Sequence, residues 1–280
     1  MYEYGMTQWI VGNEPLERSC QRLRDCGYEL IEFAADPYGL DADECNRLMA
    51  RYGLRCRSLC GMYGEDRDLT ASDEAGEAAV RYLRDSADFA EKVGASIIIV
   101  VPSPVGRTAP PQGMTEQALW QNAVENIRRA ADYAQGRNVR FVIEAINRYE
   151  TYFANTLDKA WRLVKDIDHP AVGIMADLFH MSIEENNMGR SLRMIADRLW
   201  HVHVADNTRE PAGLGATDFR EVLHVLRDLD YRGALVMEFM YRLANPYSSL
   251  EMGAQAGLMD DYARQAIDYM RMVERSVYFR

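Results

Sequence analysis

Short apolar segments alternate along this chain with longer segments of helical spacing. The segment Ser96 to Val101 is almost wholly apolar, which is typical of a parallel strand covered on both faces. The longer segments carry apolar residues every three or four positions, and several stop at glycine, as the segment from Glu14 to Cys26 does before Gly27. The pattern predicts eight strands, each followed by a helix.

The order of these elements predicts the fold. The predicted strands are 4–9, 28–33, 54–59, 96–101, 141–144, 171–176, 200–205 and 234–239. The predicted helices are 14–26, 41–52, 72–93, 115–135, 155–167, 189–199, 218–229 and 257–277. Such alternation implies βαβ units with right-handed crossovers. At 280 residues, eight units favour a closed (β/α)8 TIM barrel, which needs about 250, over an open sheet. We therefore predict an α/β protein with a single domain over residues 1–280.

The composition excludes several classes of partner. The formal net charge is −11, which argues against nucleic acid and anionic membranes, because phosphates call for a basic face. No apolar run approaches the roughly 20 residues of a membrane span, and the N-terminus lacks a signal-peptide pattern. The five cysteines are odd in number and form no Cys-x-x-Cys pair, which is typical of reduced thiols. We expect a cytoplasmic protein.

Four successive predicted strands end in potential metal ligands, namely Glu144, Asp177, His203 and Glu238. The C-terminal ends of neighbouring barrel strands converge at one mouth. Three carboxylates packed there would repel one another and resist ionisation, a difficulty that a divalent cation removes. This oxygen-rich set suits Mn²⁺ best, with Mg²⁺ or Co²⁺ as alternatives.

Each of these residues also has an ordinary structural interpretation. Glu144 could mark a strand that is emerging into water, and Asp177 could cap the following helix. His203 could be a hydrogen-bonded core histidine, and Glu238 could pair with Arg242. All of these interpretations would have to hold together at the same end of four successive strands, so we favour the metal site.

Three segments of the chain resemble a known family. They are Glu144 to Thr151, Asp177 to Glu185, and His201-Val202-His203 followed by Asp206, Arg209 and Pro211. They are similar to the sugar isomerase/epimerase superfamily with a xylose-isomerase-like barrel, and within it to ketose 3-epimerases of the D-tagatose or D-allulose type. The likeness spans nearly the whole chain.

The resemblance implies roles for named residues. It implies one divalent metal ion bound by Glu144, Asp177, His203 and Glu238. It implies that Glu144 and Glu238 also move protons, and that the sugar is held by Glu150, His180 and Arg209. These three lie in predicted loops, so we expect them to bind sugar without supporting the fold. Family members are often dimers or tetramers, which implies a homo-oligomer here.

Two loops depart from the family pattern and bear on the substrate. The segment 239–246 lacks the proline expected just after the last ligand, and the proline-rich loop 102–111 is unusual. The segment Pro211 to Gly215 is either a lid over the mouth or a plain turn.

The residues and the resemblance together predict a metal-dependent isomerase. A ketose would chelate the metal through its carbonyl oxygen and a neighbouring hydroxyl, and the cation would stabilise the enediolate formed on proton loss. Carboxylates from two non-adjacent strands would act as base and acid, which favours C3 epimerisation of a free ketose. Which glutamate is the base, and whether the sugar is phosphorylated, stay open.

Three alternatives differ in class. A dehydratase or eliminase acting on a keto-inositol or a 3-keto-glycoside (inosose dehydratase or C-glycoside-cleaving type) would abstract a similar proton and then expel the β-oxygen. An abasic-site endonuclease would need further metal ligands and a basic face, which five histidines and the acidic charge disfavour. A catalytically silent scaffold barrel is disfavoured by potential ligands at all four strand ends.

Overall fold

Eight parallel strands form a closed barrel in chain order, with the last strand paired to the first. The structure is a computed structural model and describes residues 1–242 and 256–278. The prediction of a (β/α)8 TIM barrel is confirmed.

The element bounds follow the prediction closely. The strands are β1 (Tyr4–Thr7), β2 (Leu30–Ala34), β3 (Arg55–Cys60), β4 (Ile97–Val100), β5 (Arg140–Ile143), β6 (Val172–Asp177), β7 (Leu199–Val204) and β8 (Leu235–Met237). The α-helices are α1 (Leu16–Cys26), α2 (Ala42–Tyr52), α3 (Glu74–Val93), α4 (Glu116–Gln135), α5 (Leu157–Ile167), α6 (Leu178–Glu184), α7 (Met188–Met194), α8 (Phe219–Asp228) and α9 (Ala256–Tyr278).

The connection between β6 and β7 differs from the prediction. A single helix over 189–199 was predicted, whereas two short helices, α6 and α7, occupy this connection. Each short helix has its own side-chain cap, because Asp177 accepts from the amides of Phe179 and His180 and Asn187 accepts from the amide of Arg190. At the other end of the chain, β1 stops at Thr7 and a one-turn 3₁₀ helix begins at Trp9.

Strand alternation separates the barrel interior from the layer beneath the helices. In β6, Ile174 and Ala176 belong to the main apolar core, whereas Met175 packs in a smaller cluster with Ile99 and Val142. Successive side chains of a strand point to opposite faces, so Asp177 lies on the same face as Met175. The interior positions just past the apolar cluster therefore carry the polar groups of the barrel mouth.

Two further sequence predictions concern cysteines and membranes. All five cysteines are buried and free, as expected for reduced thiols. Within residues 1–242 and 256–278, no helix combines the length and the apolar character needed to cross a bilayer.

Candidate metal and sugar site

The four predicted metal ligands meet at the C-terminal mouth of the barrel. One ligand atom from each of Glu144, Asp177, His203 and Glu238 lies within 4.8 Å of those of the other three. All four side chains are buried. Glu144 directly follows β5 and Glu238 directly follows β8, while Asp177 and His203 lie on neighbouring strands as direct register partners. The predicted convergence of these strand ends is therefore observed, and their metal role stays a prediction.

His203 and Arg209 link the carboxylates of this cluster. His203 Nδ1 lies 2.9 Å from Glu238 Oε2 and 3.9 Å from Asp177 Oδ2. The Arg209 guanidinium donates to Asp177 Oδ2 at 2.9 Å and to Glu238 Oε2 at 2.6 Å. All of these groups are buried, so water screens their charges poorly and the contacts are strongly coupled.

Asp177 satisfies both of the interpretations made from the sequence. Its Oδ1 accepts from the backbone amides of Phe179 at 2.7 Å and His180 at 3.3 Å, which caps α6. Its Oδ2 faces the cluster and accepts from Arg209. The helix therefore fixes the carboxylate and leaves one oxygen directed at the site.

Glu238 does not pair with Arg242, the alternative considered from the sequence. Arg242 lies 3.8 Å from Glu210. Glu238 instead accepts from Arg209 and, through Oε1, from Trp9 Nε1 at 3.0 Å. Residues 243–246 of the segment that departs from the family pattern lie outside the described residues.

The protonation of the cluster follows from burial and from mutual charge. Burial and the neighbouring Glu238 raise the pKa of Glu144 well above its usual range. Burial also disfavours ionised Asp177, but Arg209, His180 and His203 more than offset this and lower its pKa. For His203, burial opposes the charged form, yet Glu238 and Glu32 raise its pKa well above the ordinary value. The cluster thus contains more carboxylates than its own cations balance.

The donor set fits a divalent cation. Two glutamates, an aspartate and an imidazole nitrogen form an oxygen-rich donor set. Such a set suits Mn²⁺ or Mg²⁺, whereas structural zinc sites are typically rich in thiolates. A cation among these atoms would favour the ionised form of Glu144, which burial and Glu238 now oppose. The identity of the ion is not fixed by the donors.

The predicted sugar-binding residues His180 and Glu150 are joined by Asn147. Asn147 Nδ2 lies 2.8 Å from His180 Nδ1 and donates to Glu150 Oε1 at 2.8 Å. The amide nitrogen is a donor, so His180 Nδ1 is the acceptor and the ring proton resides on Nε2. Burial lowers the pKa of His180, which favours the neutral ring. The Nε2 atom lies 3.7 Å from Asp177 Oδ2 and 3.9 Å from Glu144 Oε1.

Arg209 is more deeply built into the fold than its loop position predicts. It is buried, its guanidinium carbon lies 4.5 Å from the centre of the Phe179 ring, and it forms the two carboxylate contacts described above. Its φ of 62° is in the left-handed region, which is costly for a residue with a side chain. Backbone hydrogen bonds to Asp206 and Met240, at 2.8 and 2.7 Å, hold this conformation.

Several residues of the site were not predicted from the sequence. Glu32 in β2 lies 2.9 Å from His203 Nε2, and Trp9 and Asn147 contact Glu238 and His180. Glu32 had a readable signal, since it is a carboxylate in the middle of an otherwise apolar strand. Trp9 begins the one-turn 3₁₀ helix after β1 and Asn147 lies in the loop after β5, and the local sequence does not show what either side chain will contact.

A cavity of about 220 Å³ opens onto the cluster. This is smaller than the about 300 Å³ at which typical drug-sized sites begin, so it suits a small ligand. Its polar lining includes Glu144, His180, Arg209 and Glu238, and the rest of the lining is largely apolar: Trp9, Cys60, Gly61, Met62, Tyr63, Val101, Val105 and Ile146. A Cβ at Gly61 would lie 2.2 Å from Ile99 O and 2.5 Å from the Tyr63 ring, so this wall requires glycine there.

The segment Pro211 to Gly215 forms a turn anchored on Asp206. Asp206 Oδ2 accepts from the amides of Gly213 and Gly215, both at 2.9 Å, and Oδ1 accepts from the amide of Thr217 at 3.0 Å. The turn interpretation made from the sequence therefore holds, and these bonds fix the loop that carries Arg209.

Comparison with known proteins gives a consistent assignment. An L-ribulose 3-epimerase of Methylomonas sp. (strain DH-1) is 30% identical over 252 residues, which is 88% of this chain and 87% of that protein. A crystal structure of D-allulose 3-epimerase from Methylomonas sp. in complex with D-allulose is similar with a TM-score of 0.85 at 26% identity, covering 97% of this chain and 96% of that one.

A 3-dehydro-D-guloside 4-epimerase of Escherichia coli (strain K12) is 39% identical over 104 residues, which is 37% of this chain and 40% of that protein. These relatives are epimerases, so the prediction that the protein is an isomerase is confirmed. The family model described as "Xylose isomerase-like TIM barrel" matches residues 20–271. The chain therefore belongs to the xylose isomerase-like TIM barrel family.

Proposed function

We propose that this protein is a divalent-metal-dependent ketose 3-epimerase that acts on a free ketose. The observation that carries the proposal is the meeting of Glu144, Asp177, His203 and Glu238 within 4.8 Å at the mouth of the barrel. Similarity to an L-ribulose 3-epimerase and to a D-allulose 3-epimerase supports the ketose and the C3 position. We assign Mn²⁺ as the metal, one ion per chain, in a single-domain protein of residues 1–280 that forms a homo-oligomer.

The chain supplies two groups for proton transfer. Glu144 and Glu238 follow β5 and β8, which the barrel separates by two strands, so their carboxylates reach the cavity from different sides. One carboxylate removes the proton from C3, and the other, which enters the step protonated, delivers its proton to the opposite face of the same carbon, so that the product differs from the substrate only in configuration. The two carboxylates thereby exchange protonation states and regain them by proton exchange with water. When bound, the cation would supply positive charge beside the sugar oxygens that become negative between the loss of one proton and the gain of the other.

The remaining residues orient the sugar. His180 directs its Nε2 proton into the cavity, where it can donate to a sugar oxygen, and Asn147 holds the ring in that tautomer. Glu150 accepts a hydrogen bond from the Asn147 side-chain amide and thereby fixes the amide that orients His180. Arg209 lines the cavity beside Glu238 and provides further donors.

The test is turnover of free ketohexoses and ketopentoses in D₂O with Mn²⁺. A 3-epimerase returns the C3 epimer with deuterium at C3, whereas an aldose–ketose isomerase labels the C1/C2 pair and an eliminase releases water or an aglycone. Glu144→Gln and Glu238→Gln should each abolish turnover, and metal content must be measured on both variants. A product that is not a C3 epimer would refute the proposal. So would full activity of either variant.

A second candidate is 4-epimerisation of a 3-keto-glycoside. The 39% identity to a 3-dehydro-D-guloside 4-epimerase over 104 residues favours testing it. The chemistry is the same proton exchange at the carbon next to a carbonyl, with the carbonyl at C3 and the exchanged proton at C4. Incubation with a 3-keto-glucoside in D₂O separates the candidates, since only the 4-epimerase would label C4 and retain the aglycone.

A further inference from the structure

His203 also makes a close polar contact with Glu32, which is not one of the four predicted metal ligands. Glu32 lies in β2, on the opposite side of the barrel from β6, and it is 1% exposed. Its Oε1 lies 2.9 Å from His203 Nε2, while His203 Nδ1 faces Glu238 and Asp177. The two ring nitrogens of His203 therefore have separate partners: Nε2 has Glu32, and Nδ1 has the cluster.

Both oxygens of Glu32 are held in place. Oε2 accepts from Ser58 Oγ at 2.5 Å and lies 2.9 Å from His201 Nε2. The His201 and His203 rings stand edge to face, with centroids 5.0 Å apart. A buried carboxylate with partners on both oxygens cannot rotate freely, so it can hold another ring in a fixed orientation.

We propose that Glu32 is a positioning residue for the metal centre. It acts through His203: it accepts the Nε2 proton, which leaves the Nδ1 lone pair directed at the ligand cluster. A histidine that binds a metal through one nitrogen needs its proton on the other, and a carboxylate acceptor fixes that tautomer and the ring plane. This inference rests on the metal site of the proposed function, but it does not depend on which sugar is the substrate.

The alternative for this cluster is a second cation site. One ligand atom from each of Glu32, His201 and His203 also lies within 4.8 Å of the other two. The orienting role accounts for the contacts more simply, because Glu32 already has a hydrogen-bond partner on each oxygen, His203 Nε2 at 2.9 Å on Oε1 and Ser58 Oγ at 2.5 Å on Oε2. Metal stoichiometry distinguishes the two.

The test is calorimetric titration of metal-free protein with Mn²⁺. Glu32→Gln keeps the size of the side chain but removes its negative charge, so its amide oxygen can accept only a weaker, neutral hydrogen bond from His203 Nε2. We expect one Mn²⁺ per chain in the unaltered protein and a Kd that is about 10 to 100 times weaker in Glu32→Gln. At saturating Mn²⁺ most of kcat should return, because Glu32 does not touch the sugar.

Two further variants make the result decisive. Glu32→Asp keeps the charge and withdraws the oxygens by one methylene, so it should weaken Mn²⁺ binding as well and serves if Glu32→Gln does not fold. Glu14→Gln is the matched control, since Glu14 is a buried glutamate paired with Arg22 outside the cluster. It should lower the melting temperature and leave the Kd for Mn²⁺ unchanged.

Three results would overturn the inference: a Kd unchanged by both Glu32 variants, an equal change in Glu14→Gln, or two Mn²⁺ per chain of which Glu32→Gln loses one. A protein that binds one Mn²⁺ in a Glu32-dependent way but epimerises no ketose would leave this inference standing and refute the proposed function. Failure of the unaltered protein to bind any divalent cation would refute both.

Discussion

Removal of the Arg209 guanidinium should destabilise the metal-free protein far more than the metal-loaded protein. Arg209 donates to Asp177 at 2.9 Å and to Glu238 at 2.6 Å, and all three side chains are at most 5% exposed. Arg209→Met keeps an apolar stem over Phe179 and removes the charge, so it leaves buried carboxylates without their cation. Breaking a buried ion pair in this way costs about 3–5 kcal/mol.

That cost can be expressed as a melting temperature. For a domain slightly smaller than this one, 1 kcal/mol corresponds to about 2–4 °C, so the metal-free variant should melt about 6–20 °C lower. Saturating Mn²⁺ would supply positive charge to the same two carboxylates. The drop in melting temperature caused by Arg209→Met should therefore be less than about half as large in the Mn²⁺-loaded protein as in the metal-free protein.

Arg22→Met is the matched control. Arg22 is also fully buried and pairs with Glu14 at 2.5 Å and Asp260 at 2.6 Å, outside the ligand cluster. Removal of the Arg22 guanidinium should lower the free energy of unfolding by a similar amount, and this loss should be the same with and without Mn²⁺. The assay is thermal unfolding by circular dichroism of the three proteins, each metal-free and with Mn²⁺. This prediction is refuted if Arg209→Met lowers the melting temperature equally in the metal-free and the Mn²⁺-loaded protein, or by no more than about 2 °C in the metal-free protein. In either case, the carboxylates that Arg209 neutralises are not the ones that bind the cation.

Three further predictions follow from the site. The pKa values of Glu144 and His203 are raised, so the metal-free protein retains protons that a cation must displace. Calorimetry in buffers of different ionisation enthalpy should show proton release on binding, and the affinity for Mn²⁺ should rise with pH. Tyr63 lines the cavity, and its buried hydroxyl has no hydrogen-bond partner among the described residues, so Tyr63→Phe should unfold at the same temperature or higher. Asn147→Asp places an acceptor against His180 Nδ1 and reverses its tautomer, so kcat/KM should fall about tenfold or more with Mn²⁺ content unchanged.

The sequence was sufficient to predict the barrel and the meeting of Glu144, Asp177, His203 and Glu238 because both follow from simple rules of strand order. Apolar strands of fixed spacing and glycine-terminated helices repeat with little interruption, and a closed barrel brings the ends of successive strands together. Glu144 and Glu238 could therefore be placed without any knowledge of side-chain contacts. The exception is the β6–β7 connection, where the capping side chains of Asp177 and Asn187 start two short helices instead of one.

The parts that escaped prediction depend on long-range contacts. Arg209 lies in a loop and was expected only to bind the sugar. It is instead a buried residue that forms ion pairs with Asp177 and Glu238, which are 32 and 29 positions away in the sequence. Glu32 meets His203 across 171 positions of sequence. No local pattern shows which of several interior polar residues will face each other. That is decided by strand register and by the inward alternation of two strands on opposite sides of the barrel.

The barrel interior is divided in a way that explains why Glu32 is tolerated. On the side of β4 to β6, the interior below the mouth is apolar, with Ile97, Ile99, Val142 and Met175 packed together. At the same depth, β2, β3 and β7 contribute Glu32, Ser58 and His201, all buried. An isolated buried carboxylate would be costly, but here His203 and the Ser58 hydroxyl satisfy its two oxygens. His203 and His201 lower the pKa of Glu32 against the effect of burial. Apolar residues of similar volume could fill this space at no loss of stability. A polar layer placed directly beneath the ligand cluster is therefore better explained by what it does for His203 than by what it contributes to the fold.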